Sequence, residues 1–186
     1  MWSHENILHH LHIFLTQVLH QIRHRHLKLK LYLIDKHQFF ELFFLQIFFL
    51  DKLLYFYHLI ENTKSYQLIK SVLDDSSKSV YQGKIFVNSD AQKTDGYQLS
   101  KAILLNENSE FNAKPELEIY ADDVKCSHGS ASGSLNEDSI FYLMSRGLNY
   151  QQSRELLING FLLDVVEKIT DSEVKNLIKN MIGIKE

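Results

Sequence analysis

The sequence between residues 80 and 135 alternates short apolar runs with polar clusters. Three β-prone runs lie at 85–88, 103–106 and 117–121, and their first residues are 18 and then 14 residues apart. Each run is followed by Asn, Asp or Ser, which are residues that favour turns. Evenly spaced strands with polar corners, and without a helical period, indicate either a β-sandwich or a solenoid of stacked β-rungs.

The connections between these runs favour the solenoid. Their spacing is longer than that of a hairpin repeat, and Asp95–Gly96, the one dipeptide between the runs that is typical of a two-residue hairpin turn, falls within an interval. We therefore predict rungs of a parallel β-helix over residues 61–135. Because each rung covers its neighbour and a solenoid needs caps, about three uncapped rungs indicate the last part of a longer solenoid.

The pattern becomes helical after residue 135. Asn136 is a candidate N-cap for a first helix that ends at Gly147, and Asn149 is a candidate cap for a second helix that reaches Ile169. Residues 170–173 have the spacing of a capping box and predict a third helix. Together they predict a small helical domain over 136–186. The apolar face predicted for the second helix has helical spacing: Leu156, Leu157, Phe161, Val165 and Ile169.

Composition sets residues 1–60 apart from the remainder. This segment contains no Gly, Ala, Pro or Cys, and it holds nine of the ten histidines and eight of the twelve phenylalanines. Folded domains use small residues for turns and close contacts. We therefore interpret residues 1–60 as an anomalous segment, in which 1–57 has the bias expected from out-of-frame translation of an AT-rich gene.

The first segment has four other interpretations. The apolar stretch 39–50 has twelve residues and is interrupted by Glu41 and Gln46, so it falls short of the roughly 20 residues that cross a bilayer. A secretory signal in residues 1–19 is disfavoured because histidines occupy the middle of that segment and no small-residue cleavage site follows. A membrane-surface helix and a metal site remain open alternatives. The metal reading uses His20 and His24, which lie one helical turn apart, with four further histidines: His9, His10, His12 and His26.

Charge, cysteine content and motifs exclude several functions. The net charge of −3 disfavours nucleic acid as the main partner, and a single cysteine excludes an internal disulfide. No phosphate-binding loop or nucleophile motif is present, so the residues do not favour an enzyme. Cys126 and His128 alternate on a predicted strand and face one side of it, where a thiolate and an imidazole can bind one metal. Two ligands do not close such a site, and the alternative is a buried cysteine beside a hydrogen-bonded histidine.

The segment 114–129, KPELEIYADDVKCSHG, closely resembles a signature of the SufB/SufD family of iron–sulfur cluster assembly proteins, and its KCSHG portion resembles the SufD branch. Three flanking stretches agree in order: 71–85, 90–95 and 140–147. The resemblance covers about residues 61–184. It implies a right-handed parallel β-helix that is truncated here, followed by a small helical domain.

The resemblance also implies function and partners. Family members SufB and SufD pair through their β-helices, and helical domains dock the ATPase SufC, so the chain is expected to be a non-enzymatic, cytoplasmic scaffold subunit with no tightly bound cofactor. His128 is implicated in forming the nascent cluster at the partner interface, with Cys126 as a less certain second ligand. Phe141, Tyr142 and Arg146 are expected to form the SufC-docking surface of domain 136–186. The competing hypothesis is a small membrane-associated or interaction protein that uses the first segment.

Overall fold

The computed structural model describes residues 12–17, 24–33, 36–46, 49–169 and 172–181, with side chains from Leu53 to Ile169 and at 172, 173, 175, 176 and 178–180. Nine strands precede three helices in this part of the chain. The strands are β1 (His12–Gln17), β2 (His24–Leu33), β3 (Lys36–Gln46), β4 (Phe49–His58), β5 (Lys64–Asp74), β6 (Lys78–Val87), β7 (Asp95–Leu104), β8 (Glu110–Ile119) and β9 (Lys125–Gly133). The helices are α1 (Glu137–Ser145), α2 (Tyr150–Val166) and α3 (Ser172–Met181).

Consecutive strands alternate between two parallel sheets. One sheet has the order β1-β3-β5-β7-β9 and the other β2-β4-β6-β8, and every neighbouring pair is parallel. Lys64 pairs with Asp95, which pairs with Lys125, so one coil takes about 30 residues. The predicted parallel β-helix followed by helices is confirmed.

The predicted rung count needs correction. The three apolar runs lie on β6, β7 and β8, which belong to alternating sheets, so two successive runs make one coil rather than two rungs. Linear spacing of 14 to 18 residues shows where strands recur. It does not show which strand lies beside which, because that depends on how the chain closes each coil.

The strand pairing crosses residue 60. β3 pairs with β5 and β4 pairs with β6, so strands from the compositionally distinct segment continue the same two sheets. His12 lies in β1, and His24 and His26 lie in β2, so helical spacing does not apply to them. His9, His10 and His20 lie outside the described residues.

Alternating residues of β6 and β7 are buried and fill the space between the sheets. One apolar cluster joins Leu54, Phe56, Ile69 and Tyr81, all at most 1% exposed. A second joins Ile85 and Val87 to Ala91 and Ala121. Burying each large apolar side chain contributes about 1.5–3 kcal/mol, so these rows hold successive coils together.

His58 shows how the β-helix satisfies a buried polar side chain. Its imidazole is fully buried, with Nδ1 2.7 Å from the Thr63 hydroxyl and Nε2 2.9 Å from the Ser65 hydroxyl. The Thr63 hydroxyl also lies 3.2 Å from that of Thr94 in the next coil. Since both ring nitrogens have partners, His58 is a structural histidine at a corner of the coil.

Helices α2 and α3 pack on the outer face of the five-stranded sheet. Leu68 and Val72 of β5 form a buried cluster with residues of α2, of α3 and of the segment between them: Leu162, Val165, Val166, Ile169 and Ile178. The predicted caps are confirmed, since Asn136 accepts the amide of Ser139 and Asn149 forms a capping box with Gln152.

The buried face of α2 differs from the prediction. Val165 and Ile169 are buried as expected, but Leu156 is 50% exposed, while Leu162 and Val166 are buried. The helix ends at Val166 rather than Ile169. The C-terminal half of α2 packs against β5, whereas its N-terminal half presents apolar residues outward.

Lys70 of β5 anchors α2. Its ammonium lies 2.7 Å from Asp164, donates to the Phe161 carbonyl at 2.7 Å, and lies 4.4 Å from the centre of the Phe161 ring. Burial lowers the pKa of Lys70, although Asp164 opposes this, and Lys70 in turn lowers the pKa of Asp164. A buried ammonium needs such partners, so Lys70 fixes the position of α2 on the sheet.

In the described part of the chain, every helix is too short or too polar to cross a bilayer.

We expect Gly83→Ala to destabilise the β-helix. A methyl group there would collide with the Tyr81 hydroxyl and the Gln98 carboxamide, whose residues are at most 1% exposed and have little room to move. Overpacking of this kind costs about 1–3 kcal/mol. Urea unfolding of the full chain measures the change. Gly133→Ala is the matched strand control because no atom lies within 4 Å of the added methyl; equal midpoints for both variants would contradict the expectation.

Candidate functional site

The last coil of the β-helix is open. β9 pairs only with β7, and β8 only with β6, so each has one edge whose backbone groups lack a neighbouring strand in the described residues. Ile85 and Val87 are fully buried, but their partners on β8 are more exposed: Leu117 is half-buried and Ile119 is 38% exposed. Exposed strand edges and a half-exposed apolar row are features that a partner can cover.

Cys126 lies near the start of β9 and packs inward. It is in register with the buried Gly96, and its Sγ lies beside that residue and against the cluster of Ile85 and Val87. Burial raises the pKa of the Cys126 thiol; a backbone hydrogen bond from Gly96 opposes this and Asp95 adds to it. The thiol is therefore mainly protonated near neutral pH, which disfavours metal binding and nucleophilic attack in this state.

His128 is exposed two residues further along β9. It is in register with Gln98, which is fully buried, so the backbone places His128 on the same row as the interior of the preceding coil. Among the described residues its imidazole has no hydrogen-bond partner, in contrast to His58. An exposed imidazole at an open end is available to a ligand or a partner.

The two predicted ligands share one face but do not make a complete site. Cys126 and His128 are in register with Gly96 and Gln98, which are both buried, so the alternation predicted for β9 holds. Within the described residues, no group of three or more His, Cys, Asp and Glu side chains is placed to hold a metal ion. A metal held here needs ligands from outside this part of the chain, as four-coordinate sites require.

We expect Cys126 to be alkylated slowly in the folded chain. Because burial raises its pKa, iodoacetamide should react several-fold more slowly near pH 7.5 than with the urea-unfolded chain, and the native rate should rise at higher pH. The same shift favours the protonated folded state, so stability should fall as pH rises above the usual thiol pKa of about 8.5. Cys126 is the only cysteine in the sequence, so mass spectrometry measures its alkylation without a signal from other thiols. Identical pH profiles in the two states would contradict this.

A groove beside Cys126 was not predicted from the sequence. Its volume is about 620 Å³, and its lining includes the stacked rings of Tyr66 and Tyr97, whose centres lie 5.2 Å apart, with Asp95 and Lys125. The tyrosines are one coil apart in the sequence and in register. The sequence could predict this pair only if the number of residues in one coil were known. The spacing of the predicted strands did not provide that number.

The residues predicted for partner docking lie on the exposed side of α1. Phe141 is 74% exposed and Tyr142 is 55% exposed, and the Arg146 guanidinium lies 5.2 Å from the centre of the Tyr142 ring. A shallow groove of about 370 Å³ runs beside Tyr142 toward Leu157 of α2. The sequence prediction missed three exposed apolar side chains on the same helices: Met144, Tyr150 and Leu156. Such a concentration of exposed apolar area marks an interaction surface.

Fold and site together define a parallel β-helix protein with an open last coil, two candidate ligand residues on β9 and a helical unit on its outer face. A family model described as the SUF system FeS cluster assembly, SufBD core domain, matches residues 46–161. The chain belongs to this family. The match begins earlier than the residue 61 predicted from the motifs, and it takes in the last part of the compositionally distinct segment.

Relatives from bacteria and a plant support the SufD branch. The chain is 40% identical over 119 residues to the iron–sulfur cluster assembly protein SufD of Escherichia coli (strain K12), which covers 64% of this chain and 28% of that protein. It is 37% identical over 119 residues to an iron–sulfur cluster assembly SufBD family protein of Synechocystis, covering 64% and 26%. It is 41% identical over 117 residues to the chloroplastic protein ABCI7 of Arabidopsis thaliana, covering 62% and 25%. The match thus spans about a quarter of each relative.

Proposed function

We propose that the chain acts as a SufD-like scaffold subunit in a SufB–SufC–SufD complex that assembles iron–sulfur clusters, and that it represents part of a longer scaffold. The observation that carries the proposal is the exposed His128 on the last strand of an open β-helix, in a family of cluster assembly proteins. The nascent cluster is cargo, held transiently and completed by ligands of the partner.

His128 supplies an imidazole nitrogen to the nascent cluster in this proposal. Its exposure and its lack of a hydrogen-bond partner within the described residues support the role. Cys126 is the weaker candidate as a cluster ligand, because its thiol packs against Ile85 and burial raises the pKa of that thiol. Movement at the interface would have to expose the thiol before it could bind iron.

SufB is proposed to cover the open end through β8 and β9. Their unpaired edges can extend a sheet of the partner, and the half-exposed row of Leu117 and Ile119 supplies apolar contact. SufC is proposed to bind the surface that Phe141, Tyr142 and Arg146 form on α1. ATP hydrolysis then belongs to SufC, the chain itself is not an enzyme, and the complex is cytoplasmic.

A reconstitution experiment tests the complex. Residues 46–161 replace the matching segment of Escherichia coli SufD, and this chimera is co-expressed with SufB and SufC of that organism. We expect all three subunits to co-purify and to accumulate iron and acid-labile sulfide. A chimera that folds, as judged by circular dichroism, but purifies without either partner would refute the proposal.

A further inference from the structure

A row of inward-facing polar side chains runs along the five-stranded sheet. Gln67 of β5 is in register with Gln98 of β7, which is in register with His128 of β9. Both glutamines are fully buried between the sheets. A glutamine side chain carries two donors and a carbonyl oxygen, so each needs several hydrogen bonds when it leaves water.

The described part of the chain does not supply all of these hydrogen bonds. Neither Nε2 nor Oε1 of Gln67 has a hydrogen-bond partner there, and Oε1 of Gln98 has none. The Gln98 Nε2 group donates to the carbonyl of Gly83 at 3.4 Å, which is a long contact. The next polar pair in the same strands differs, because the Ser100 hydroxyl donates to Ser130 at 3.1 Å.

The opposite sheet adds polar groups at the same place. Gly83 of β6 carries no side chain. The Gln98 carboxamide and the Tyr81 hydroxyl lie close to the position that a β-carbon would take there. Tyr81 itself is 1% exposed. Amide, hydroxyl and backbone carbonyl groups therefore converge from two sheets on one buried region.

We propose that this region is an internal hydration site, in which ordered water binds Gln67, Gln98 and the Gly83 carbonyl. A buried amide without partners is strongly unfavourable, and buried water characteristically satisfies such groups through about three hydrogen bonds. The named groups are neutral and offer both donors and acceptors, which suits water rather than an ion. The site is one strand away from the register position of His128, and its existence does not depend on the proposed cluster function.

Water-to-amide Overhauser spectra of the full chain test the site directly. The side-chain amide signals of Gln67 and Gln98 are assigned with isotope-labelled protein and the variants Gln67→Leu and Gln98→Leu. We expect both signals to show cross peaks to long-lived water. The exposed Gln151, whose amide donates to Glu155, is the internal control and should show only contact with rapidly exchanging solvent.

Urea unfolding of Gln98→Leu gives a second measurement. If water bridges the site, leucine removes a partner from that water and from Gln67, and the unfolding equilibrium constant should rise about tenfold. If the region is dry, leucine relieves an unpaired amide and the variant should be more stable. Gln82→Leu, at a half-buried position of β6, is the matched control and should change little. Absence of the water cross peaks, or a stabilised Gln98→Leu chain, would overturn the proposal; the wild-type spectrum decides even if a variant does not fold.

Discussion

His128→Ala should abolish iron–sulfur cluster assembly while leaving the complex intact. The side chain is exposed, and within the described residues it makes no hydrogen bond, so its removal should change the stability of the β-helix by less than about 0.5 kcal/mol. The proposed function makes His128 a ligand in a site shared between subunits. Its removal would therefore leave the nascent cluster one ligand short. Structure and assembly are therefore separable at this residue.

The measurement is iron and acid-labile sulfide per complex, with the substitution placed in the Escherichia coli SufD chimera and co-expressed with SufB and SufC. Ser127→Ala is the matched control, because Ser127 is exposed on the same strand but alternates to the other face. We expect near-complete loss for His128→Ala, partial loss for Cys126→Ala and none for Ser127→Ala. Normal iron and sulfide in the His128→Ala complex would remove this histidine from the site.

Replacing Phe141 and Tyr142 together by alanine should disrupt binding of the SufC ATPase. Exposed aromatic residues at the centre of an interface each contribute roughly 2–4 kcal/mol, so the pair should weaken binding by at least about a hundredfold. Because Phe141 is 74% exposed and Tyr142 is 55% exposed, the chain should keep its stability. Deleting 136–186 is a poorer test, since removing α2 and α3 would uncover Leu68 and Val72.

Binding is measured by titrating purified SufC against the chimera in complex with SufB. Tyr120→Ala is the control: Tyr120 is 61% exposed and lies just after β8, away from the helices. We expect SufC affinity to be unchanged in Tyr120→Ala and lost in the double variant, with SufB retained in the double variant. Retained SufC affinity in the double variant would place the docking surface elsewhere, and Tyr150 and Leu156 of α2 would then be the next residues to replace.

Short local patterns in the sequence predicted the caps of α1 and α2 and the end of α1 correctly. Asn136 and Asn149 cap α1 and α2 as predicted, because an N-cap hydrogen bond involves residues only three positions apart. Gly147 adopts φ +98°, the left-handed conformation that ends a helix and that favours glycine. The capping box proposed at 170–173 lies partly outside the described residues, so its side-chain contacts stay a prediction.

Burial along α2 could not be predicted with the same success. Leu156 belongs to the predicted apolar face and Leu162 does not, yet Leu156 is 50% exposed and Leu162 is buried. The difference arises because β5 lies beneath only the C-terminal half of the helix, where Lys70 binds Asp164. A contact between residues so far apart in the chain leaves no local signature.

The sequence by itself determined the parallel β-helix, the capped helices, the family resemblance and the choice of His128, because strand spacing, caps and motifs are written in consecutive residues. The tertiary structure decided which strands stack, that Cys126 packs inward while His128 is exposed, and that Gln67 and Gln98 share one buried row. Those features depend on how many residues close a coil. That number brings together side chains about 30 positions apart, and no short pattern in the chain specifies it.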